Sequence, residues 1–110
     1  MFVRTKEGKI LKCFKSESMN LPIYYVIGSK TNSYVEYQDV KKVSKNIIDI
    51  LEVGDYVNGY PVIEIPYMEE NKIVYKLYYK NNFLLCTENH KIKSIVTKEQ
   101  FEQMQYKVSE

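Results

Sequence analysis

The sequence lacks alanine and tryptophan, and Arg4 and His90 are its only arginine and histidine. Alanine is the residue that best forms helices, so its absence favours other secondary structure. Arginine dominates specific base recognition and bidentate phosphate binding in proteins. We therefore expect few helices and no sequence-specific recognition of DNA.

The sequence also lacks a large excess of either positive or negative charge. The 110 residues carry 16 basic and 14 acidic side chains, which gives a formal net charge of +2. This value is too small to imply nucleic-acid binding by itself, and it argues against an acidic mimic of DNA. Lysine supplies nearly all of the positive charge, so non-specific contact with a phosphate backbone stays open.

The two cysteines, Cys13 and Cys86, lie far apart in the sequence. In a reducing compartment, such isolated cysteines are usually buried thiols that pack as small apolar side chains. They also match no zinc-binding spacing, because a single histidine cannot complete a ligand set with them. We expect free thiols and no metal site.

Long apolar runs are absent. No window approaches the 18 apolar residues that a membrane-spanning helix needs, and the first residues contain no apolar core of a signal peptide. We expect a protein that does not enter the membrane and that stays in the cytoplasm.

Strand-forming residues are what the sequence has instead. Hydrophobic residues make up 45% of the chain, and 11 residues are tyrosine. Tyrosine, isoleucine and valine together favour β-strands. The length is that of one ordinary domain, so we expect a single domain over residues 1–110. A weak seam near Lys45-Asn46 separates N-terminal β-hairpins (1–45) from a barrel-like segment with a C-terminal helix (46–110).

Turn signals divide the apolar runs into hairpins. Asn58-Gly59 suits a type I′ turn, in which both central residues need positive φ. Pro61 predicts that the following strand begins at a sheet edge, and Pro66 predicts its end, because proline cannot donate to a ladder. Asn81-Asn82 predicts a second tight turn, and Lys91–Val96 a last main strand.

A short helix is predicted at the C-terminus. Thr97 and Gln100 fit a capping box, in which each side chain bonds the other's backbone amide. The helix should run from Lys98 to Met104, with Phe101 and Met104 facing the strands. The predicted fold class is mostly β (α+β): a small antiparallel sheet closed as an SH3-like or OB-like barrel, with this one helix.

Catalytic motifs are not evident. His90 could pair with Cys86, but the simpler interpretation is a buried cysteine at a strand end and a loop histidine. Paired carboxylates such as Glu69-Glu70 lie in polar turns, where solvated side chains are usual, and the four glycines form no phosphate-binding loop. We expect no enzymatic activity, no catalytic residues, no metal and no cofactor.

One tyrosine- and lysine-rich strand is the candidate binding surface. Alternation along a strand places Lys76, Tyr78 and Lys80 on the face opposite Tyr75, Leu77 and Tyr79. Exposed tyrosines with lysines can anchor a protein partner or stack bases and neutralise phosphates. The alternative is that Tyr75, Leu77 and Tyr79 belong to the core and the lysines only keep the other face soluble. The predicted partner-binding residues are Tyr75, Lys76, Tyr78, Tyr79, Lys80, Lys91 and Lys93, with a weaker second mixture at Tyr34, Tyr37, Lys41 and Lys42.

Two segments, Ile50–Gly59 and Ile92–Phe101, resemble parts of small uncharacterised proteins of phages and prophages of low-GC Gram-positive bacteria. The resemblance covers about the C-terminal 60 residues and carries over no binding residues. It implies an accessory protein in the bacterial cytoplasm that inhibits a host or phage-defence protein, as anti-CRISPR proteins do. Binding of single-stranded nucleic acid or a nucleotide is the alternative, an assembly subunit is a third, and a homodimer is compatible with all three.

Overall fold

The computed structural model describes residues 1–18, 21–28, 33–69, 71–87 and 90–104. The chain divides into two compact units, Met1–Ile50 and Leu51–Glu110. Each unit is built around one antiparallel sheet of five strands, and strands account for most of the described secondary structure. The prediction of a mostly β protein with one short C-terminal helix is confirmed.

The first unit is a sheet with the strand order β4-β3-β2-β1-β5. Chain neighbours pair as hairpins, and β5 returns to lie beside β1. Two short 3₁₀ turns, Tyr37–Asp39 and Ile47–Ile50, complete the unit. Its strands are β1 (Phe2–Thr5), β2 (Ile10–Ser18), β3 (Leu21–Val26), β4 (Tyr34–Glu36) and β5 (Val40–Ser44).

Alternate residues along each strand point to the same face of the sheet. One face of this sheet is apolar, because apolar residues occupy those alternate positions in neighbouring strands. Val3, Cys13, Tyr24 and Val35 form its buried cluster. Arg4 is fully buried as well, and its Nη1 donates a 3.0 Å hydrogen bond to the carbonyl oxygen of Ile50. The chain's only arginine therefore lies in the interior of this unit and is hydrogen-bonded there.

The second unit is a sheet with the strand order β10-β6-β7-β8-β9. Val57, Val62, Val74, Tyr75 and Leu77 are among its buried residues. Its elements are β6 (Tyr56–Val57), β7 (Tyr60–Glu69), β8 (Lys72–Tyr79), β9 (Asn82–Thr87), β10 (Ile95–Val96) and α1 (Lys98–Met104).

The β6–β7 turn forms as the sequence predicts. Val57 pairs with Tyr60, and the two residues between them have φ values of 53° (Asn58) and 87° (Gly59). The β8–β9 turn lies one residue earlier than predicted. Tyr79 pairs with Asn82, and Lys80 and Asn81 have positive φ. Lys80 is therefore a turn residue, and its placement on a strand face with Lys76 and Tyr78 was wrong.

The strand boundaries deduced from proline and from the last apolar run were also wrong. β7 is an inner strand and continues through Pro66, since its register with β8 shifts between Glu64 and Tyr67. Such an irregularity removes the ladder bond that proline cannot make. The predicted strand Lys91–Val96 shrinks to Ile95–Val96, because the preceding residues bond to the Asn58 side chain.

The C-terminal helix has the predicted bounds and cap. The Thr97 amide donates to Gln100 Oε1 at 3.1 Å, and the Gln100 amide donates to Thr97 Oγ1 at 3.3 Å. Phe101 stacks on Tyr56 with a ring-centroid distance of 5.2 Å. Met104 is exposed, and it lines a hollow together with Ile95 and Val96 of β10.

Closure into a barrel is not observed. In the described part of each sheet, the first and last strands of the order are not paired with each other. The boundary between the compact units falls after Ile50, whereas the sequence placed a weak seam near Lys45-Asn46. No helix in the described ranges is long and apolar enough to cross a bilayer.

Candidate functional site

The β8–β9 hairpin carries most of the residues predicted to bind a partner. Its register pairs Tyr78 with Phe83 and Lys76 with Leu85, so these four side chains share one face of the sheet. We call them the hairpin face. The opposite face carries Tyr75, Leu77 and Cys86, which are buried.

Three of the four side chains of the hairpin face are aromatic or aliphatic, and these three are open to solvent. Tyr78, Phe83 and Leu85 are 43%, 66% and 47% exposed. Lys76 lies beside them and forms an ion pair with Glu64 at 3.1 Å. Phe83 and Leu85 were not among the binding residues predicted from the sequence. A turn placed at Lys80-Asn81 rather than Asn81-Asn82 would have identified them, because it pairs Phe83 with Tyr78 and Leu85 with Lys76.

Strand β9 is also an edge. It is the last strand of its sheet, and no described strand pairs with its outer side. Asn82, Phe83, Leu84 and Leu85 are all exposed, so β9 presents both of its faces as well as its outer backbone. None of these four side chains is charged. Natural edge strands usually carry charges or prolines that block pairing with another chain.

The other predicted binding residues do not all reach this surface. Tyr75 is fully buried and belongs to the core, as the alternative interpretation proposed. Tyr79 packs edge-on against Tyr60, with ring centroids 4.6 Å apart, and Lys80 Nζ lies 5.1 Å from the Tyr79 ring centroid. Only Lys76 and Tyr78 of the predicted residues lie on the hairpin face.

Lys91 and Lys93 lie on the segment that precedes β10. The Asn58 side chain fixes this segment to the β6–β7 turn. Asn58 Oδ1 accepts the amides of Lys93 (2.7 Å) and Ser94 (3.1 Å), and Nδ2 donates to the Lys91 carbonyl at 2.9 Å. Both lysine side chains are exposed there.

His90 and Cys86 meet at the hydroxyl of Tyr75. This hydroxyl lies 2.8 Å from His90 Nδ1, and Cys86 is the direct cross-strand partner of Tyr75. Burial raises the pKa of Tyr75, and the neighbouring Cys86 raises it further. Burial also raises the pKa of the Cys86 thiol. Both groups therefore keep their protons at neutral pH, which is the opposite of an activated nucleophile.

The first unit has an aromatic row on its solvent face. Phe14, Tyr25 and Tyr34 come from three neighbouring strands, and the register pairs each ring with the next. The Phe14 and Tyr25 rings stack at 5.4 Å, and Tyr25 and Tyr34 are tilted by 53° at 6.3 Å. A groove of about 340 Å³ begins at this row and is lined by Leu21, Pro22, Ile23, Tyr25, Tyr34, Glu36, Tyr37 and Gln38.

The second tyrosine–lysine mixture is divided between two hollows. Tyr34 lines the groove, whereas Lys41 and Lys42 line a neighbouring hollow together with Lys6. Tyr37 borders both. The structure thus separates the lysines of this mixture from the aromatic row.

Both cysteines are buried free thiols. Within the described ranges, no group of three or more histidine, cysteine, aspartate or glutamate side chains could hold a metal ion. Searches against protein families, curated proteins and solved structures found no match for the chain.

Proposed function

We propose that the chain is a non-catalytic binding protein that contacts a protein partner through the hairpin face and the edge of β9. The observation that carries the proposal is the uncharged, exposed edge strand of Asn82, Phe83, Leu84 and Leu85. An apolar surface beside an unpaired strand edge is a site where a second protein adds a strand. Aromatic side chains such as Tyr78 and Phe83 commonly anchor such contacts.

The resemblance of Ile50–Gly59 and Ile92–Phe101 to phage and prophage proteins supplies the biological part of the proposal. The partner would be a host or phage-defence protein in the bacterial cytoplasm, and binding would block it. Lysines at the margin of the apolar surface, such as Lys80, would form a polar rim. Nucleic-acid binding at this surface is less well supported, because Lys76 is paired with Glu64 rather than directed to a phosphate.

Capture from a phage-infected host lysate tests the proposal when matched variants are compared. Phe83→Lys with Leu85→Lys introduces two charges on the hairpin face and the edge. Ile27→Lys with Val53→Lys adds the same charge at other exposed apolar positions. We expect one stoichiometric partner with the wild type and the control, and affinity weaker by roughly thirtyfold with the first variant, about 2 kcal/mol for a lost anchor.

Two results would contradict the proposal. One is a partner that both double variants bind equally well. The other is a wild-type dimer, measured by light scattering, that only the Phe83/Leu85 variant dissociates. In that case a second copy of the chain covers β9, and the protein is an assembly subunit.

A further inference from the structure

The residues that line the groove of the first unit favour a ligand of one charge sign. Three of the residues that line it are tyrosines, Tyr25, Tyr34 and Tyr37. Glu36 carries the one formal charge among the described residues that line it. Aromatic faces are electron-rich, so rings and carboxylate favour the same kind of ligand, a cation.

The backbone explains how these groups converge. Tyr25 is paired with Tyr34 and Ile23 with Glu36, so the four side chains share the solvent face of β3 and β4. The 3₁₀ turn Tyr37–Asp39 follows β4 directly and brings Tyr37 to the end of the groove. Gln38 Nε2 donates a hydrogen bond to Glu36 Oε2, which holds the carboxylate at the groove.

The ring geometry suits a rounded cation. Tyr25 and Tyr34 are inclined by 53° with centroids 6.3 Å apart, so their planes form a corner rather than a flat stack. Phe14 stacks on Tyr25 and supports that ring. Tyr34 and Tyr37 are 55% and 56% exposed, so their rings are open to an incoming ligand. Clusters of aromatic side chains hold quaternary ammonium groups in other proteins.

We propose that this groove binds a quaternary ammonium group. The Tyr25, Tyr34 and Tyr37 rings surround the methyl groups, and Glu36 balances the charge. A nucleotide fits less well, because Glu36 would repel its phosphate and the lysines of the neighbouring hollow lie outside the groove. The proposal does not depend on the proposed function, since it concerns a surface of the other compact unit.

A nuclear magnetic resonance titration of the full chain with ring-labelled tyrosines tests this inference. The probe is choline chloride against equal sodium chloride, and the control is the neutral isostere dimethylbutanol, in which carbon replaces nitrogen. We expect choline to shift the Tyr25, Tyr34 and Tyr37 resonances with a dissociation constant on the order of a millimolar. The neutral isostere should bind about tenfold more weakly.

Matched substitutions at exposed positions locate the effect. Tyr34→Phe keeps an electron-rich ring and should bind choline within about twofold of the wild type, whereas Tyr34→Leu should lose about tenfold. Glu36→Gln keeps the shape of the side chain and should weaken binding about fivefold. A trimethyllysine peptide that binds far more tightly than choline would identify a protein as the source of the ammonium group.

Three results would overturn the inference. Equal binding of choline and its neutral isostere would show a plain apolar groove. Tyrosine shifts with adenosine monophosphate but not with choline would show a base-stacking platform. Equal choline binding by the Tyr34→Leu variant and the wild type would place the cation elsewhere.

Discussion

At the scale of single residues, Asp55 shows how a buried charge is used in the second unit. Its side chain is fully buried, and its carboxylate accepts the amides of Glu52 at 2.7 Å and Lys98 at 2.9 Å. These two bonds join the turn before β6 to the start of α1. The burial of Asp55 could not be predicted from the sequence, because an aspartate after glycine also suits an exposed turn.

We predict that Asp55→Ala lowers the free energy of unfolding by about 2–4 kcal/mol, because the buried amide of Glu52 and the part-buried amide of Lys98 lose their acceptor. Asp49→Ala is the control, since the Asp49 side chain is exposed and its carboxylate accepts a hydrogen bond from the Ser44 hydroxyl. Asp49→Ala should lower the free energy of unfolding by less than about 1 kcal/mol. Denaturant unfolding measures both, and equal costs would show that the Asp55 contacts contribute little.

Tyr75 and Cys86 are expected to make the free energy of unfolding fall at alkaline pH. Burial raises the pKa of both groups above their ordinary values of 10.0 and 9.0, so the folded protein holds protons that the unfolded chain releases. We therefore predict that the free energy of unfolding is unaffected by these groups below pH 9.0 and falls as pH rises above it.

Tyr75→Phe tests that pH dependence. The variant should lose about 1 kcal/mol at neutral pH with the hydrogen bond to His90, and its stability should fall less steeply with alkaline pH. Cys86→Val should remove the contribution of the thiol in the same way. Denaturant unfolding across the alkaline range measures the slopes, and identical slopes in all three proteins would contradict the assignment.

At the scale of elements, local sequence signals predicted the β6–β7 turn and the helix cap correctly, but the pairing register of β8 with β9 was predicted incorrectly. The Asn58-Gly59 turn and the Thr97–Gln100 cap depend on residues a few positions apart, and both formed as predicted. The β8–β9 turn shifted by one residue because Lys80, Asn81 and Asn82 offer two overlapping turns. That shift moved Lys80 off the strand, and it concealed Phe83 and Leu85 as the cross-strand partners of Tyr78 and Lys76.

Asn58 links two elements, and we predict that its oxygen orders residues 91–94. Asn58→Asp keeps the acceptor for the Lys93 and Ser94 amides and loses the Nδ2 donor to the Lys91 carbonyl, whereas Asn58→Ala removes both. Amide hydrogen exchange should therefore accelerate at Lys93 and Ser94 in the alanine variant and stay slow in the aspartate variant. Acceleration of equal size in both variants would show that the acceptor oxygen is not what orders the segment.

At the scale of the whole molecule, alternating apolar residues predicted a mostly β chain but not how its sheets end. Closure of a barrel depends on pairing between the first and last strands, and the same alternation suits an open sheet. The open arrangement leaves β9 as an edge strand, which a closed barrel would not have. An uncharged edge strand invites pairing with another chain.

We propose that a partner protein covers the edge of β9 and the hairpin face. Amide hydrogen exchange should therefore differ between the captured complex and the chain alone. We expect slower exchange on binding for β9 amides that face away from β8, and no change in the first unit's sheet. Protection confined to the first unit, with β9 exchanging as it does in the free chain, would mean that the partner binds elsewhere.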